Sequence, residues 1–581
     1  MNAPRFLAAT GEPEALRAWL SRLVPPEAPR QRLNRVFDGS DLVVYATPET
    51  DLIPLEEERG LIVGRLFRGT EKCEAVSSLT LSESRHAAWS CGRSLLDGKW
   101  GQYVAFLRDD DAVTVVRDPS GAIPVHFSLG GAIQLYFSHG EVIDSFASSD
   151  AGIDEEFLRQ WLTFPFLRTA RTGIAGRSEL LPGTFRSSNG ESASIKTIWT
   201  PWRSTSIERR IVDFDEAARR LRDVALATVP AQVGHLTRPI LELSGGLDSS
   251  IVAACLLKAG KGFEAVNFVT RAPDGDERDY ARAVADSMDA DLSELMEDSV
   301  PLDLSAPCAP GLRPPLSPVL QPLRRALASH ARASGTHDFV TGAGGDNIFC
   351  YLTTAAPIVD AASEAGVSAG FATLQDVAAL GDCTLWTAGG LALRKRLLGS
   401  RRPLWKADRR YLDPQAVAER PDPHPWLERP DGVSAGKIEH VESLVRVQHF
   451  LEPEYPGGDR VHHPLLNQPL TELCLSIPSW LWVRGGRNRA VARAAFEDLL
   501  PAAVVRRRTK GRLESMCVRA FSSNRANLAE ILLDGGLARR GLIDRAALEA
   551  YLHRAGQPVD DTYYRVFDLV SLELWLAARR G

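Results

Sequence analysis

The sequence predicts two domains of mixed α/β and α+β character. A β-rich N-terminal domain is expected over residues 1–205, and over 206–581 a domain built on a doubly wound parallel sheet with a helical extension. Three observations predict this. The chain has 581 residues, whereas single hydrophobic cores stop growing near about 250 to 300 residues. Its texture changes at Trp199-Thr200-Pro201-Trp202 from short apolar runs broken by Gly, Asp and Ser to helical periodicity. Beyond that point compact apolar runs alternate with helical ones, the pattern of a parallel sheet with helices on its faces.

In chain order, GQYVAFLRDDDAVTVVRDPSGAIPVHFSL places two strand-like runs around the acidic turn Asp109 to Asp111. Asp213 with Glu216 three residues on reads as a capping-box start, and Phe214, Ala217, Leu221, Val224 and Thr228 follow at helical spacing. RPILEL is a buried-strand candidate, Ser249 to Lys258 a helix closed by Gly260, EAVNFV a second strand and DERDYARAVADSM a second helix. A short strand, DFV, leads into Thr341, and the remainder is dominated by helical periodicity. The Pro-rich stretches Pro301 to Pro322 and Pro421 to Pro430 read as loops.

Hydrophobic residues at 44% and charged residues at 24% place the chain with globular rather than disordered proteins. With 68 Lys plus Arg against 74 Asp plus Glu, the net charge of -6 supplies no global basic field for a nucleic-acid backbone. The eight cysteines include no C-x-x-C pair, so neither a zinc knuckle nor a disulfide framework is expected. The opening residues lack a basic stretch followed by an apolar one, and no apolar run approaches the roughly 18 residues of a membrane span. The expected location is cytoplasmic, with neither membrane nor nucleic acid as a partner.

The most informative segment is LELSGGLDSS, Leu241 to Ser250, between a strand and a helix. Gly245 and Gly246 let backbone N–H groups approach an anion, the helix N-terminus offers unpaired donors, and Ser244 and Ser249 add hydroxyls. This is a phosphate-binding loop without the Gly-Lys-Ser/Thr ending of a Walker A motif. Asp248 beside a bound phosphate makes sense if Mg²⁺ bridges carboxylate and phosphate oxygens. The plainer alternative is a Gly-Gly turn in which Asp248 caps the helix. In the later segment TGAGGDNIF, Thr341 to Phe349, a dinucleotide fingerprint fails because its third glycine falls on Asn347.

SGGLDSS resembles the pyrophosphate loop of ATP-pyrophosphatases, which cleave ATP between its α- and β-phosphates and transfer AMP. TGAGGDNIF resembles the second signature of the asparagine-synthetase-like branch. That resemblance implies Asp346 as a second Mg²⁺ ligand. It also implies an ATP site involving Leu243, Ser244, Gly245, Gly246, Asp248, Ser249, Val269, Thr341, Gly342 and Gly344. HHPLLNQPLTE resembles a segment usually written R-x-P-F-L-D, with Asn467 where the pattern has Asp. GGRNRAVARAAFEDLLPAAVVRRRTKG resembles the branch's arginine- and lysine-bearing stretch, in which Lys510 matches a lysine over the phosphates and the reacting carbonyl. A charge run is otherwise usually a solvated face, and Arg506, Arg507, Arg508 and Arg512 are expected to be one. The first 200 residues resemble the hydrolase-type, glutaminase-like domain of glutamine-dependent asparagine synthetases, with LLPG at Leu180 to Gly183 and IWTPW near its end.

Two departures direct the functional expectation. The glutaminase of that family uses a cysteine exposed after Met1 is removed, but position 2 is Asn2 and the first cysteine is Cys73. The domain is therefore expected to be degenerate, so that an amine other than ammonia attacks the adenylate. After Gly342 asparagine synthetases carry Glu and β-lactam synthetases Tyr; this chain carries Ala343, which can neither accept nor orient a proton. The chain most resembles a lasso-peptide cyclase, which joins a peptide's N-terminal amine to an Asp or Glu side chain. The resemblance implies ATP and Mg²⁺, catalytic roles for Lys510, Asp248 and Asp346, a precursor peptide as substrate, and a leader peptidase and leader-recognition protein as partners. Two other readings are a β-lactam-synthetase-like small-molecule ligase and a nucleotide-binding scaffold without chemistry.

Overall fold

The computed structural model describes residues 5–579 apart from 22–32, 111, 129–130, 145–150, 190–191, 271, 273–274, 298–301, 305–310, 399–403, 456–457, 509–510, 512–513, 555 and 559. In the first strand, Phe6–Gly11, Phe6 and Ala8 point one way and Leu7 and Ala9 the other, and all four are buried. Period-two alternation with both faces covered requires a layer on each side. On one side, Phe6, Ala8 and Val44 meet Val63, Val104 and Phe106 of a second antiparallel sheet. On the other, Leu7 and Phe137 share a core with Phe157 of the helix Glu155–Thr163 and with Phe567 and Trp575 of the C-terminal helix Thr562–Ala577. The second sheet's far face is covered by the helices Leu81–Trp89 and Phe214–Val233. The N-terminal region is thus a pair of stacked sheets with helices outside both. Lys99–Asp109 and Ala112–Arg117 pair antiparallel around the acidic turn, whose Asp111 lies outside the described residues.

The third sheet runs in the order Leu292–Met296, Glu264–Val269, Ile240–Glu242, Asp338–Val340, Asp459–His462, Glu454–Tyr455. Every neighbouring pair is parallel except the last. Ile240 packs with Leu327 and Ala331 of the helix Gln321–Ser334. Leu241 turns to the opposite face, toward Ile251 and Val252 of Leu247–Lys258. Helices therefore cover both faces of this sheet.

Some boundaries differ from the sequence expectation. The helix after the glycine loop starts at Leu247, capped by Gly246, so Asp248 lies within its first turn and does not cap it. The second helix starts at Arg278. Gln321–Ser334 absorbs the end of the Pro301 to Pro322 stretch, with Pro322 in its first turn, where a missing N–H costs nothing. Asp213 accepts a hydrogen bond from the Glu216 amide at 2.7 Å and caps its helix. Among the described residues no helix is long and apolar enough to cross a membrane.

Candidate active site

The parallel register Ile240↔Phe339 and Leu241↔Val340 ends two central strands side by side, although they are about a hundred residues apart in the chain. Connections from these strands leave in opposite directions, and the crevice beyond such strand ends is where open α/β sheets bind ligands. A cavity of about 520 Å³ lies there. Leu243, Ser244, Gly246, Asp248, Ser249, Thr341 and Gly342 line it. Gly245, at φ +68°, is pressed against Tyr280 and Ala281 behind the loop, so no side chain fits there. Gly344 backs onto Leu466. Val269 is fully buried in its strand and does not line the cavity; Val266, Asn267 and Phe268 do. The Ser244 hydroxyl accepts the Gly246 amide at 3.2 Å and Ser250 donates to the Gly246 carbonyl at 2.7 Å, which fixes the loop.

Asp248 and Asp346 occupy the first turns of two helices, Leu247–Lys258 and Gly345–Ile348. Their carboxylates converge on one nitrogen of Arg489, which lies 2.9 Å from both oxygens of Asp248 and 2.6 Å from Asp346 Oδ1. Arg489 has φ +50°, a costly conformation for a non-glycine residue, and its guanidinium lies 5.4 Å from the Tyr351 ring. Burial pushes Arg489 down, and the two carboxylates outweigh it and hold it above the ordinary arginine value. Acceptor-only groups converging on a cation suit Mg²⁺, which takes one or two protein carboxylates together with phosphate oxygens. Among the described residues no cluster of three or more His, Cys, Asp or Glu forms a self-sufficient metal site, so phosphate oxygens would complete this one.

The asparagine synthase family profile matches residues 221–577. The chain belongs to the asparagine synthase family. It is accordingly an ATP-dependent, AMP-forming carbon–nitrogen ligase. No curated protein sequence matches the chain. Two solved structures are similar in part: one titled the allosteric regulatory enzyme of purine biosynthesis, the other glutamine phosphoribosylpyrophosphate amidotransferase from B. subtilis with ADP and GMP. Each is 10% identical with a TM-score of 0.20, covering 53% of this chain and 76% and 77% of its own.

In this asparagine synthase-family chain the basic stretch departs from the solvated face expected of it. Arg506 and Arg508 are exposed, but the Arg507 side chain is 9% exposed and lines the cavity. It pairs with Glu277 at 2.7 Å and stacks 3.8 Å over the Tyr280 ring. Glu277 also accepts the Gly511 amide at 3.1 Å, so one carboxylate holds both Arg507 and Gly511. Lys510 and Arg512 themselves lie outside the described residues. Asn467 is buried and structural: it caps the helix Gln468–Ser476 through the Leu470 amide and donates to Thr228 and the Pro464 carbonyl. These bonds use both faces of the amide, whereas a carboxylate has no donor to offer. Cys73 offers no substitute nucleophile, because burial pushes its thiol up to about 11. Asn2 lies outside the described residues.

Sequence reasoning missed Arg489, Glu277, Glu242 and Tyr455, all at this cavity or its rim. Arg489, Glu242 and Glu277 lie in the basic stretch, in LELSGGLDSS and in DERDYARAVADSM, but nothing in those segments distinguishes them from their neighbours, and Tyr455 carries no signal at all.

Proposed function

We propose that this ligase is a lasso-peptide cyclase. It adenylates an Asp or Glu side chain of a precursor peptide and joins it to the peptide's N-terminal amine, releasing AMP and pyrophosphate. The observation that carries the reading is Ala343 in the cavity wall beside Gly342. By the resemblance of TGAGGDNIF to the family's second signature, its methyl group stands where small-molecule relatives carry a proton-handling side chain. Asn2 at the position where the family's glutaminases carry their cysteine supports an amine source other than glutamine.

The substrate carboxylate attacks the α-phosphorus, and the negative charge of the leaving pyrophosphate develops beside the amides of the glycine loop and the start of Leu247–Lys258. Mg²⁺ held by Asp248 and Asp346 would offset that charge. Arg489 keeps both carboxylates aimed at one point. Lys510, by the family resemblance, stabilises the oxyanion formed as the amine attacks the acyl-adenylate. The peptide tail must be held within the ring before closure, so much of the rate comes from positioning.

The test is incubation of the full chain with ATP, Mg²⁺, a linear precursor peptide and its leader peptidase. Expected products are AMP, pyrophosphate and a peptide lighter by one water that resists proteases. Asp248→Ala and Asp346→Ala should each abolish AMP formation, and added glutamine should yield no glutamate. ADP and phosphate as products would overturn adenylation; activation of a free small carboxylate in place of the peptide would favour the β-lactam-synthetase-like reading.

A further inference from the structure

The proposed mechanism leaves the proton of the attacking amine without an acceptor, and Ala343 supplies none. The described carboxyl groups lining the cavity are Asp248, Glu242, Glu277 and Glu452. Asp248 is held by Arg489, Glu277 by Arg507 and Glu452 by Arg324. His463 has Nδ1 against the Thr341 hydroxyl at 2.9 Å and Nε2 against the Glu452 carbonyl at 3.3 Å, and burial holds it at about 4. Both its nitrogens are engaged.

Glu242 is different. It ends the strand Ile240–Glu242, two residues before Ser244 of the glycine loop. Strand alternation turns its side chain to the face of Ile240, which is covered by Gln321–Ser334 and the strand Glu454–Tyr455. There its carboxylate accepts a hydrogen bond from the Tyr455 hydroxyl, and both residues line the cavity. The neighbouring walls are apolar, Leu316, Leu323 and Leu327 among them. The charged or titratable groups facing the pair are Arg324 from the helix, Glu452 and His463. Arg324 is committed to Glu452. Burial pushes Glu242 up to about 7, against the lowering effects of Tyr455 and Arg324. Burial and the neighbouring Glu242 carboxylate push Tyr455 well above its ordinary range, so it remains a donor.

We propose that Glu242, oriented by Tyr455, is the general base that takes the proton from the amine as it attacks the acyl-adenylate. A nitrogen–carbon bond forms, the bond from the acyl carbon to the AMP oxygen breaks, and one N–H proton passes to the Glu242 carboxylate and on to solvent. A base that titrates near neutral pH combines a useful ionised fraction with useful basicity. This role rests on the adenylating reading above.

The experiment separates the two half-reactions. The probe is a synthetic peptide with a free amino terminus and one internal Asp or Glu, given to the full chain with ATP and Mg²⁺. Pyrophosphate–ATP exchange reports activation, and mass reports ring closure. Glu242→Gln should leave exchange within about 2-fold while closure falls by roughly 10²-fold, the lower range for loss of a general base. The unmodified chain should close faster as pH rises through about 7, and this rise should vanish in Glu242→Gln. Tyr455→Phe removes a bond that lowers the Glu242 titration, so the rise should move to higher pH with exchange retained. Unchanged closure and pH profile in Glu242→Gln, or an equal loss of exchange and closure, would overturn the role. No exchange in the unmodified chain would overturn the adenylating reading itself, and this role with it.

Discussion

Gly345 packs so tightly on Asp248 that a β-carbon built there would overlap the carboxyl group. Its φ is not positive, so the constraint is space and not backbone strain. Gly345→Ala should therefore push Asp248 off Arg489 and cut AMP formation by roughly 10²-fold, the cost of a misplacement near 1 Å. Overpacking costs about 1 to 3 kcal/mol, so the variant should still fold; AMP release beside a thermal melt checks both, and unchanged AMP release would show that Asp248 need not sit there. Lys510→Ala tests a role carried by resemblance. ATP binding should survive if the glycine loop supplies most phosphate contacts, as the proposed function has it, while product formation falls by about 10²- to 10³-fold, as when one oxyanion donor is lost. Equal turnover in the variant would remove Lys510 from the chemistry.

Between elements, the contact to test is the clasp of Glu277 on the segment after the helix Ala502–Val505. Its two partners, Arg507 and the Gly511 amide, both line the cavity. Arg507→Ala breaks one half of the clasp, uncovers Tyr280 and leaves Glu277 partly buried with one partner fewer. A fall of about 10-fold in kcat is expected, roughly 1.4 kcal/mol of barrier, with ATP affinity little changed. Arg508→Ala, at an exposed position, is the control. Identical steady-state kinetics for the two variants would show that Arg507 only packs.

At the scale of the whole molecule, Glu179 joins the two halves. Its side chain is fully buried and ion-paired with Arg117 and Arg168 at 2.8 Å and with Arg313 at 3.0 Å; Arg313 lies in the second half of the chain. Burial pushes Glu179 up, but the three guanidinium groups outweigh it and hold it well below the usual carboxylate range. Such a group stabilises the fold above its unfolded value of about 4.3 and loses that contribution as pH falls below it. Histidines act earlier. Burial holds His126, His139, His440 and His449 at about 3 and His424 at about 4, so they stay neutral in the fold but take up protons on unfolding below about 6.5. Melting temperature should therefore fall in two stages on acidification, first below about 6.5 and again below about 4.3. Glu179→Gln should cost about 3 to 5 kcal/mol at pH 7 by leaving buried guanidinium groups uncompensated. Its deficit should shrink in acid; a pH-independent deficit in melts across this range would contradict the assignment.

The sequence by itself determined the glycine loop between a strand and a helix, the carboxylates Asp248 and Asp346 and the alternation that makes a parallel sheet, because these are written in neighbouring residues. Adjacent Gly245 and Gly246 leave the loop's N–H groups open to an anion whatever packs behind them, and RPILEL alternates its faces whatever packs on them. Only the tertiary structure decided that Arg489 lies between the two aspartates, 241 positions from the first, or that Tyr455 reaches Glu242 across 213 positions. Those meetings follow from strand order, which brings the strands beginning at Ile240, Asp338 and Asp459 side by side. No local signal encodes that order. The basic run shows the same limit in miniature: composition makes Arg506, Arg507 and Arg508 equivalent, and the direction in which the chain leaves Ala502–Val505 turns one of them inward onto Glu277 and leaves the other two in solvent.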